Sequence, residues 1–313
     1  MSTQSIIKGL LAEPPQIEPK YFYDDVGSRL FELLTLMPEY YPTRTEQSLM
    51  RLHSREIAQT LGEVGVLIDL GAGNCHKARD LFVTMQPKQY VAVDISATFL
   101  EQALDEMRAS FPDIRMQALG ADLTKPIALP SNLSGGKRVC FYPGSSIGNF
   151  DPDQAVQLMK EMRELVVQDN DSTEGGLLIG VDLVKDTAVL RAAYNDELGL
   201  TAAFNRNMLT HINRLLGSDF NLADWGHDAF FNEALSRIEM HLYARRDLTV
   251  HWPQGDGHPA GQRFFASGES IHTENSYKYQ TDFFAEMLAQ AGFSISQFWT
   301  DPARQFAVFY ACA

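Results

Sequence analysis

Five short apolar runs, each closing on a glycine or an aspartate, constrain the fold of this chain more than any other feature. They are Val64–Leu70 before Gly71-Ala-Gly73, Tyr90–Asp94, Ile114–Leu119 before Asp122, Arg138–Tyr142 before Pro143-Gly144, and Gly176–Val181 before Asp182. Segments of helical length, Ala97–Ser110 and Asp153–Val167 among them, lie between the runs. Unbroken apolar runs are strands buried on both faces, and buried strands alternating with helices make a parallel sheet with crossover helices. Ligands bind such a sheet outside the carboxyl ends of its strands. Gly71, Asp94, Asp122, Gly144 and Asp182 therefore address one edge.

The alternation lapses from about Arg191 to Tyr279, where a helix over Thr201–Leu216 and mixed strands over Ile238–Ala244 and Asp247–Trp252 are expected. It resumes with Ser294–Trp299 and Gln305–Tyr310, two runs joined across a Thr-Asp-Pro turn, which reads as an antiparallel hairpin. A parallel sheet finished by such a hairpin resembles the methyltransferase variant of the Rossmann theme. The expectation is an α/β chain whose Rossmann-like domain spans 45–190 and 280–313. An α+β substrate-binding domain is expected to pair 1–44, rich in proline and aromatics, with the insertion 191–279. Thr43 or Thr45 is read as capping a helix that runs to about Leu61, and Arg44 and Glu46 as an exposed ion pair of little energetic worth.

Composition narrows the partners. A net charge of −14 argues against a phosphate-backbone ligand, which draws on basic patches. Cys75, Cys140 and Cys312 lack metal-ligand spacing and suit a reducing compartment. No charged region followed by a long apolar run opens the chain, and no stretch reaches the roughly 18–20 apolar residues of a membrane span. We therefore expect a cytoplasmic monomer with a small-molecule substrate, no nucleic-acid or membrane partner, and no metal.

The glycine turn narrows the cofactor. Gly71 and Gly73 let the backbone approach a ligand closely, but the third glycine of a dinucleotide fingerprint is replaced by His76. Asp94, 23 residues after Gly71 (94−71), ends the next strand and can accept both ribose hydroxyls. Asp122 can face an adenine amino group, with Leu123 beside the ring. The alternative for both aspartates is a helix N-cap. An acidic rim suits a sulfonium cation better than the pyrophosphate of a dinucleotide, so S-adenosylmethionine is the expected co-substrate.

Longer motifs specify more. Tyr21-Phe-Tyr23-Asp-Asp-Val-Gly-Ser-Arg-Leu-Phe31, Pro38-Glu-Tyr40-Tyr-Pro-Thr-Arg-Thr-Glu46, Gly144-Ser-Ser-Ile-Gly-Asn149, Gly180-Val-Asp-Leu-Val-Lys-Asp186, Thr201-Ala-Ala-Phe-Asn-Arg-Asn207 and Arg237-Ile-Glu-Met240 together resemble the L-histidine Nα-methyltransferases of ergothioneine biosynthesis. The likeness runs from about Pro19 to Phe309. It implies transfer of three methyl groups from S-adenosylmethionine to the histidine α-amine, giving hercynine. By motif match it implies Tyr23 beside the reacting amine, Asn149 and Tyr194 on the substrate carboxylate, and Tyr40, Glu274 and Ser276 on the imidazole. Phe31 and Met240 become pocket walls, and Gly71, Gly73, Lys77, Asp94, Asp122 and Leu123 cofactor contacts. The family's Gly-Ser-Thr-Ile-Gly-Asn is here Gly-Ser-Ser-Ile-Gly-Asn; Ser146 keeps the hydroxyl and loses a methyl.

The residue types fit that chemistry. Glu274 and Ser276 lie two apart on an extended segment and so share a face, where a carboxylate and a hydroxyl can serve the two nitrogens of one imidazole. Tyr23, Phe31 and Phe204 offer faces to a methylated cation, each such contact worth about 0.5–2 kcal/mol. His272 is expected on the surface. The rivals are the same chemistry on another aromatic amino acid such as tryptophan, whose indole offers one donor and no acceptor, and a catalytically silent binding protein on this scaffold.

Overall fold

The computed structural model describes residues 3–95, 97–133, 135–167, 175–255 and 257–313. The chain opens with α1 (Thr3–Leu10), α2 (Asp25–Leu34), α3 (Tyr41–Leu52) and α4 (Ser54–Leu61). The alternating part follows as β1 (Val66–Leu70), α5 (His76–Met85), β2 (Gln89–Asp94), α6 (Ala97–Ser110), β3 (Arg115–Gly120), β4 (Arg138–Tyr142), α7 (Pro152–Val166) and β5 (Gly176–Asp182). Next come α8 (Thr187–Tyr194), α9 (Leu200–Leu216), β6 (Trp225–Asn232), β7 (Arg237–Ala244), β8 (Leu248–Trp252), β9 (Gly261–Phe265) and β10 (Ser270–Tyr277). The last elements are α10 (Thr281–Gln290), β11 (Ser294–Thr300) and β12 (Phe306–Cys312).

The chain divides into two compact units, Met1–Tyr41 with Lys185–Tyr277, and Pro42–Val184 with Lys278–Ala313. The second unit holds a seven-stranded sheet in the order β11-β12-β5-β4-β1-β2-β3. Strands β5, β4, β1, β2 and β3 run parallel, while β12 is antiparallel to both β5 and β11. This is the α/β sheet and closing hairpin that the alternation implied. Every residue of β1 and β5 is buried, as strands covered on both faces require. Strand order reverses between β1 and β4, so the ligand crevice of such a sheet opens at the ends of those two strands.

The first unit has a three-stranded antiparallel sheet, β10-β7-β6, and a two-stranded one, β8-β9. One apolar cluster unites it, running from Ile6, Tyr21 and Phe22 through Phe204 and Met208 to Trp225 and Ile271.

The single helix expected from Thr43 or Thr45 to Leu61 is instead two. α3 starts at Tyr41, earlier than the threonines, because Pro42 is tolerated in a first helical turn. His53 leaves helical geometry (φ −101°, ψ 12°) and its ring pairs with Glu56, which separates α3 from α4.

One buried carboxylate sits inside β1. Asp69 is 1% exposed, and its Oδ2 accepts from the Tyr90 hydroxyl at 2.7 Å. Burial pushes its carboxyl up to about 7, against the pull of the Tyr90 bond. A carboxyl whose folded pKa lies above its unfolded value binds its proton more tightly in the native state. Its stabilising contribution is full below the unfolded pKa and is lost as pH rises through about 7. Asp69→Asn should therefore gain stability relative to the parent on going from pH 5 to pH 8, by about 1–3 kcal/mol. Urea unfolding at the two pH values measures this, and an equal difference at both would refute the assignment.

Candidate functional site

The crevice edge of the second unit is built around the turn after β1. Gly71 (φ +71°) and Gly73 (φ +51°) adopt left-handed backbone that side chains disfavour. Gly71 and Ala72 donate their N–H groups to Val93 O at 2.8 and 3.0 Å, and Gly73 N–H donates to Asp94 Oδ2 at 3.1 Å. The end of β2 thus holds the loop from below. A Cβ at Gly73 would meet nothing within 4 Å, and one at Gly71 would lie 3.8 Å from Leu123 Cδ1. The loop is therefore open above and flanked by Leu123. Gly71, Gly73, Asp94 and Leu123 come together as the strand ends required. Asp122 uses Oδ1 to accept from Thr124 N (3.0 Å) and Thr124 Oγ1 (2.6 Å), so one of its oxygens shapes the local turn.

Glu46 is the principal site feature that sequence reasoning missed. Its expected exposed pairing with Arg44 is not what the fold uses, because Glu46 is 2% exposed. Its Oε2 accepts from Lys77 Nζ at 2.6 Å and its Oε1 from Gly144 N–H at 2.7 Å. One carboxylate on α3 so ties the first turn of α5 to the loop after β4. A Cβ at Gly180 in β5 would lie 2.1 Å from Glu46 Oε1, so the carboxylate occupies space that only glycine leaves. The signal was present in the sequence. Tyr41, Pro42, Glu46, Leu49 and Met50 are the buried positions of α3, and the 4-3-1 spacing from Pro42 onward puts the carboxylate on the apolar stripe.

Asn149 ends the 3-10 turn Ser146–Asn149 after β4 in this unit. Ser145 opens that turn in left-handed geometry (φ +56°), and its Oγ accepts from Asp182 N–H at 2.9 Å. Ser146 retains a polar contact, its Oγ donating to Pro143 O at 3.2 Å.

In the first unit an aromatic cluster collects most of the remaining candidates. Tyr23 packs edge-on to Phe31 (centroids 5.8 Å apart) and to Phe204 (5.8 Å). Phe31 lies 5.8 Å from Phe204 and 6.1 Å from Tyr40, and Tyr40 lies 6.2 Å from Tyr194. The Tyr194 hydroxyl donates to Ser276 Oγ at 2.7 Å. Ser276 is on β10, two residues from Glu274, whose register partner on β7 is Met240. Glu274 is 9% exposed, and a carboxylate is rarely so buried unless the fold or the function uses it.

Tyr23 is held by its neighbour. Asp24 caps α2 by accepting from Gly27 N–H at 2.7 Å, accepts from Asn207 Nδ2 at 2.8 Å, and pairs with Arg214. Two chemistry-bearing motifs more than 180 residues apart, Tyr23-Asp24 and Asn205-Arg-Asn207, are joined by one carboxylate. Strand β10 also has a bulge. His272 pairs with His241 while Glu274 pairs with Met240, so Thr273 is the extra residue. His241 and Met240 point to opposite faces, and the bulge sends His272 and Glu274 to opposite faces as well. His272 is half-buried rather than on the surface, its ring 5.0 Å from that of His241.

Comparison with known proteins identifies the family. The profile of the family described as histidine-specific, SAM-dependent methyltransferases matches residues 2–313. The histidine N-alpha-methyltransferase of Mycolicibacterium smegmatis is 38% identical over 304 residues, covering 96% of this chain and 91% of that protein. The protein of the same name from Mycobacterium tuberculosis is 34% identical over 319 residues, covering 97% and 92%. Ergothioneine biosynthesis protein 1 of Neurospora crassa is 29% identical over 300 residues, covering 92% of this chain and 32% of that longer protein. A match across nearly the whole length, with a relative above 30% identity, makes this chain a member of the SAM-dependent, histidine-specific methyltransferase family.

Proposed function

We propose that the enzyme transfers three methyl groups from S-adenosylmethionine to the α-amine of L-histidine, yielding hercynine as the first step of ergothioneine biosynthesis. The observation that carries this reading is the buried pair Glu274 and Ser276, set beside an aromatic cluster that contains Tyr23. Glu274 accepts from one imidazole N–H, and Ser276 serves the other nitrogen with Tyr40 alongside. Asn149 and Tyr194 hold the carboxylate, the Tyr194 hydroxyl giving up its bond to Ser276 to donate to it; Phe31 and Met240 wall the pocket.

The open glycine loop fits the co-substrate. A ligand can lie above Gly71 and Gly73 without meeting a Cβ, and the Asp94 carboxylate, which accepts from Gly73 N–H, stands at the same turn to receive the ribose hydroxyls. Asp122 and Leu123 serve the adenine, and Lys77 stands at the same edge. When bound, S-adenosylmethionine supplies an electrophilic methyl on a sulfonium. The reaction as proposed requires no metal.

The chain's own residues carry the rest. An amine attacks only with a free lone pair, and Tyr23 accepts a hydrogen bond from it and turns the lone pair toward the methyl. Placement of this kind lowers a barrier by up to about 7–11 kcal/mol. Each transfer removes an amine hydrogen, so hydrogen bonding alone would release a partly methylated product. The faces of Tyr23, Phe31 and Phe204 hold the growing cation instead.

Mass spectrometry of a reaction with histidine tests the reading. Gains of one, two and three methyl groups are expected, and comparable turnover of tryptophan would sink the histidine assignment. Tyr23→Phe should lower kcat by about 100-fold, the lower end for proton-handling groups, with little change in the histidine KM. Steady-state kinetics decide; an equal loss in both parameters would mark Tyr23 as packing only.

A further inference from the structure

We propose that Glu239, His241 and His272 form a binding site for a borderline-soft divalent cation of the Zn2+ type. It lies on the face of the β10-β7-β6 sheet opposite the one that carries Met240 and Glu274. Each residue offers one ligand atom, and the three atoms lie within 4.8 Å of one another. Donor atoms about 2.0–2.1 Å from a tetrahedral Zn2+ are about 3.3 Å apart. Glu239 Oε2 and His241 Nε2 already stand 3.2 Å apart. Only the approach of His272 remains to be closed.

The surroundings favour coordination. Glu239 Oε1 is fixed by Arg237 Nε at 2.8 Å and Asn232 Nδ2 at 2.9 Å, which orients the carboxylate with Oε2 toward His241. His241 Nδ1 is 3.2 Å from Ser270 Oγ. A serine hydroxyl donates or accepts, so it follows the imidazole when Nε2 gives up its proton to bind metal. His272 Nε2 lies 3.0 Å from Glu274 O; a carbonyl only accepts, so Nε2 carries the proton and Nδ1 keeps the lone pair. Metal-ligating histidines characteristically donate their other ring N–H to such partners. On β6, Asp228 and Phe230, register partners of His241 and Glu239, are exposed, so solvent reaches this face. Two imidazoles and one carboxylate select Zn2+ or its transition-metal neighbours over Ca2+ and Mg2+. The Arg237 guanidinium, held on the Tyr277 ring at 5.3 Å, opposes a second cation and moderates the affinity.

The bulge at Thr273 makes the site possible, because a regular strand would place His272 and Glu274 on one face. The His272–Glu274 carbonyl bond then links the ion to the backbone of the residue we assign to the imidazole. The existence of the site does not depend on which amino acid the enzyme methylates.

Calorimetric titration of Zn2+ into untagged, chelator-stripped enzyme tests it. Histidine must be absent, since it chelates the metal itself. One saturable site is expected. His272→Gln and Glu239→Gln should each weaken it by more than the about 10–100-fold that losing an outer-shell partner costs, and Ser270→Ala by about that range. His251→Gln, at an exposed histidine paired with Asp219, should leave it unchanged. An unaltered metal-free melting temperature certifies that the variants are folded. Co2+ should give the intense visible bands of tetrahedral coordination in the parent and lose them in His272→Gln. Absence of a saturable site in the parent, or parental affinity in both ligand variants, overturns the proposal.

Discussion

Replacing Glu274 by alanine should raise the histidine KM by about 10–150-fold, the loss of one hydrogen bond to a charged group worth about 1.5–3 kcal/mol. Affinity for S-adenosylhomocysteine should stay within about twofold, because the role proposed for Glu274 is to the imidazole and not to the co-substrate. Glu274 is buried on β10 and sits two residues from Ser276, whose hydroxyl is already engaged by Tyr194. In the variant an imidazole N–H would enter the pocket with no acceptor and forfeit its bonds to water. A site built to pair buried polar groups discriminates mainly through that penalty. The same substitution should therefore narrow the gap between histidine and amino acids whose side chains need no acceptor. Glu274→Gln keeps an acceptor oxygen but loses the charge, and its KM should fall between parent and alanine variant. Kinetics with histidine beside calorimetry with S-adenosylhomocysteine checks the split. An unchanged histidine KM in the alanine variant would remove Glu274 from the imidazole site.

The sheet was legible because burial on both faces leaves an unmistakable imprint. β1 and β5 are buried at every position, and apolar runs of that kind read as strands whatever surrounds them. The hairpin was legible from one turn, where Asp301 Oδ1 accepts from Gln305 N–H at 2.6 Å and Phe306 N–H at 2.8 Å. Candidates whose roles follow from strand ends, Gly71, Gly73 and Asp94, came together for the same reason. What escaped the sequence reading depends on tertiary placement. The bulge at Thr273 is a register shift of one residue, and no composition rule announces it. The Asp24–Asn207 contact joins a helix cap to a helix interior 183 residues away. Glu46 was read as a surface charge because glutamate usually is one. Only its place on the stripe of Pro42, Leu49 and Met50 says otherwise.

Glu46→Ala should damage both the stability of the second unit and its crevice. The substitution strands Gly144 N–H and leaves the Lys77 ammonium without its counter-charge. Removing one partner of a buried pair costs about 3–5 kcal/mol. The lower end applies here because the Lys77 side chain is 27% exposed and can turn to water. The structural consequence is local to the crevice. Glu46 connects α5, which follows the β1 turn, to the loop after β4, and these are the two strands between which the sheet order reverses. Untied, the glycine turn and the β4 loop lose their common anchor, so S-adenosylhomocysteine affinity should fall by about 10-fold or more, as outer-shell losses do at other preorganised sites. Glu46→Gln separates fold from site. The amide oxygen can still accept from Gly144, so most of the melting temperature should be kept, whereas the charge that holds Lys77 is gone and cofactor affinity should still drop. Thermal melts and calorimetry on both variants provide the readout. If Glu46→Ala bound S-adenosylhomocysteine as the parent does, the carboxylate would be a stabilising contact with no part in shaping the crevice.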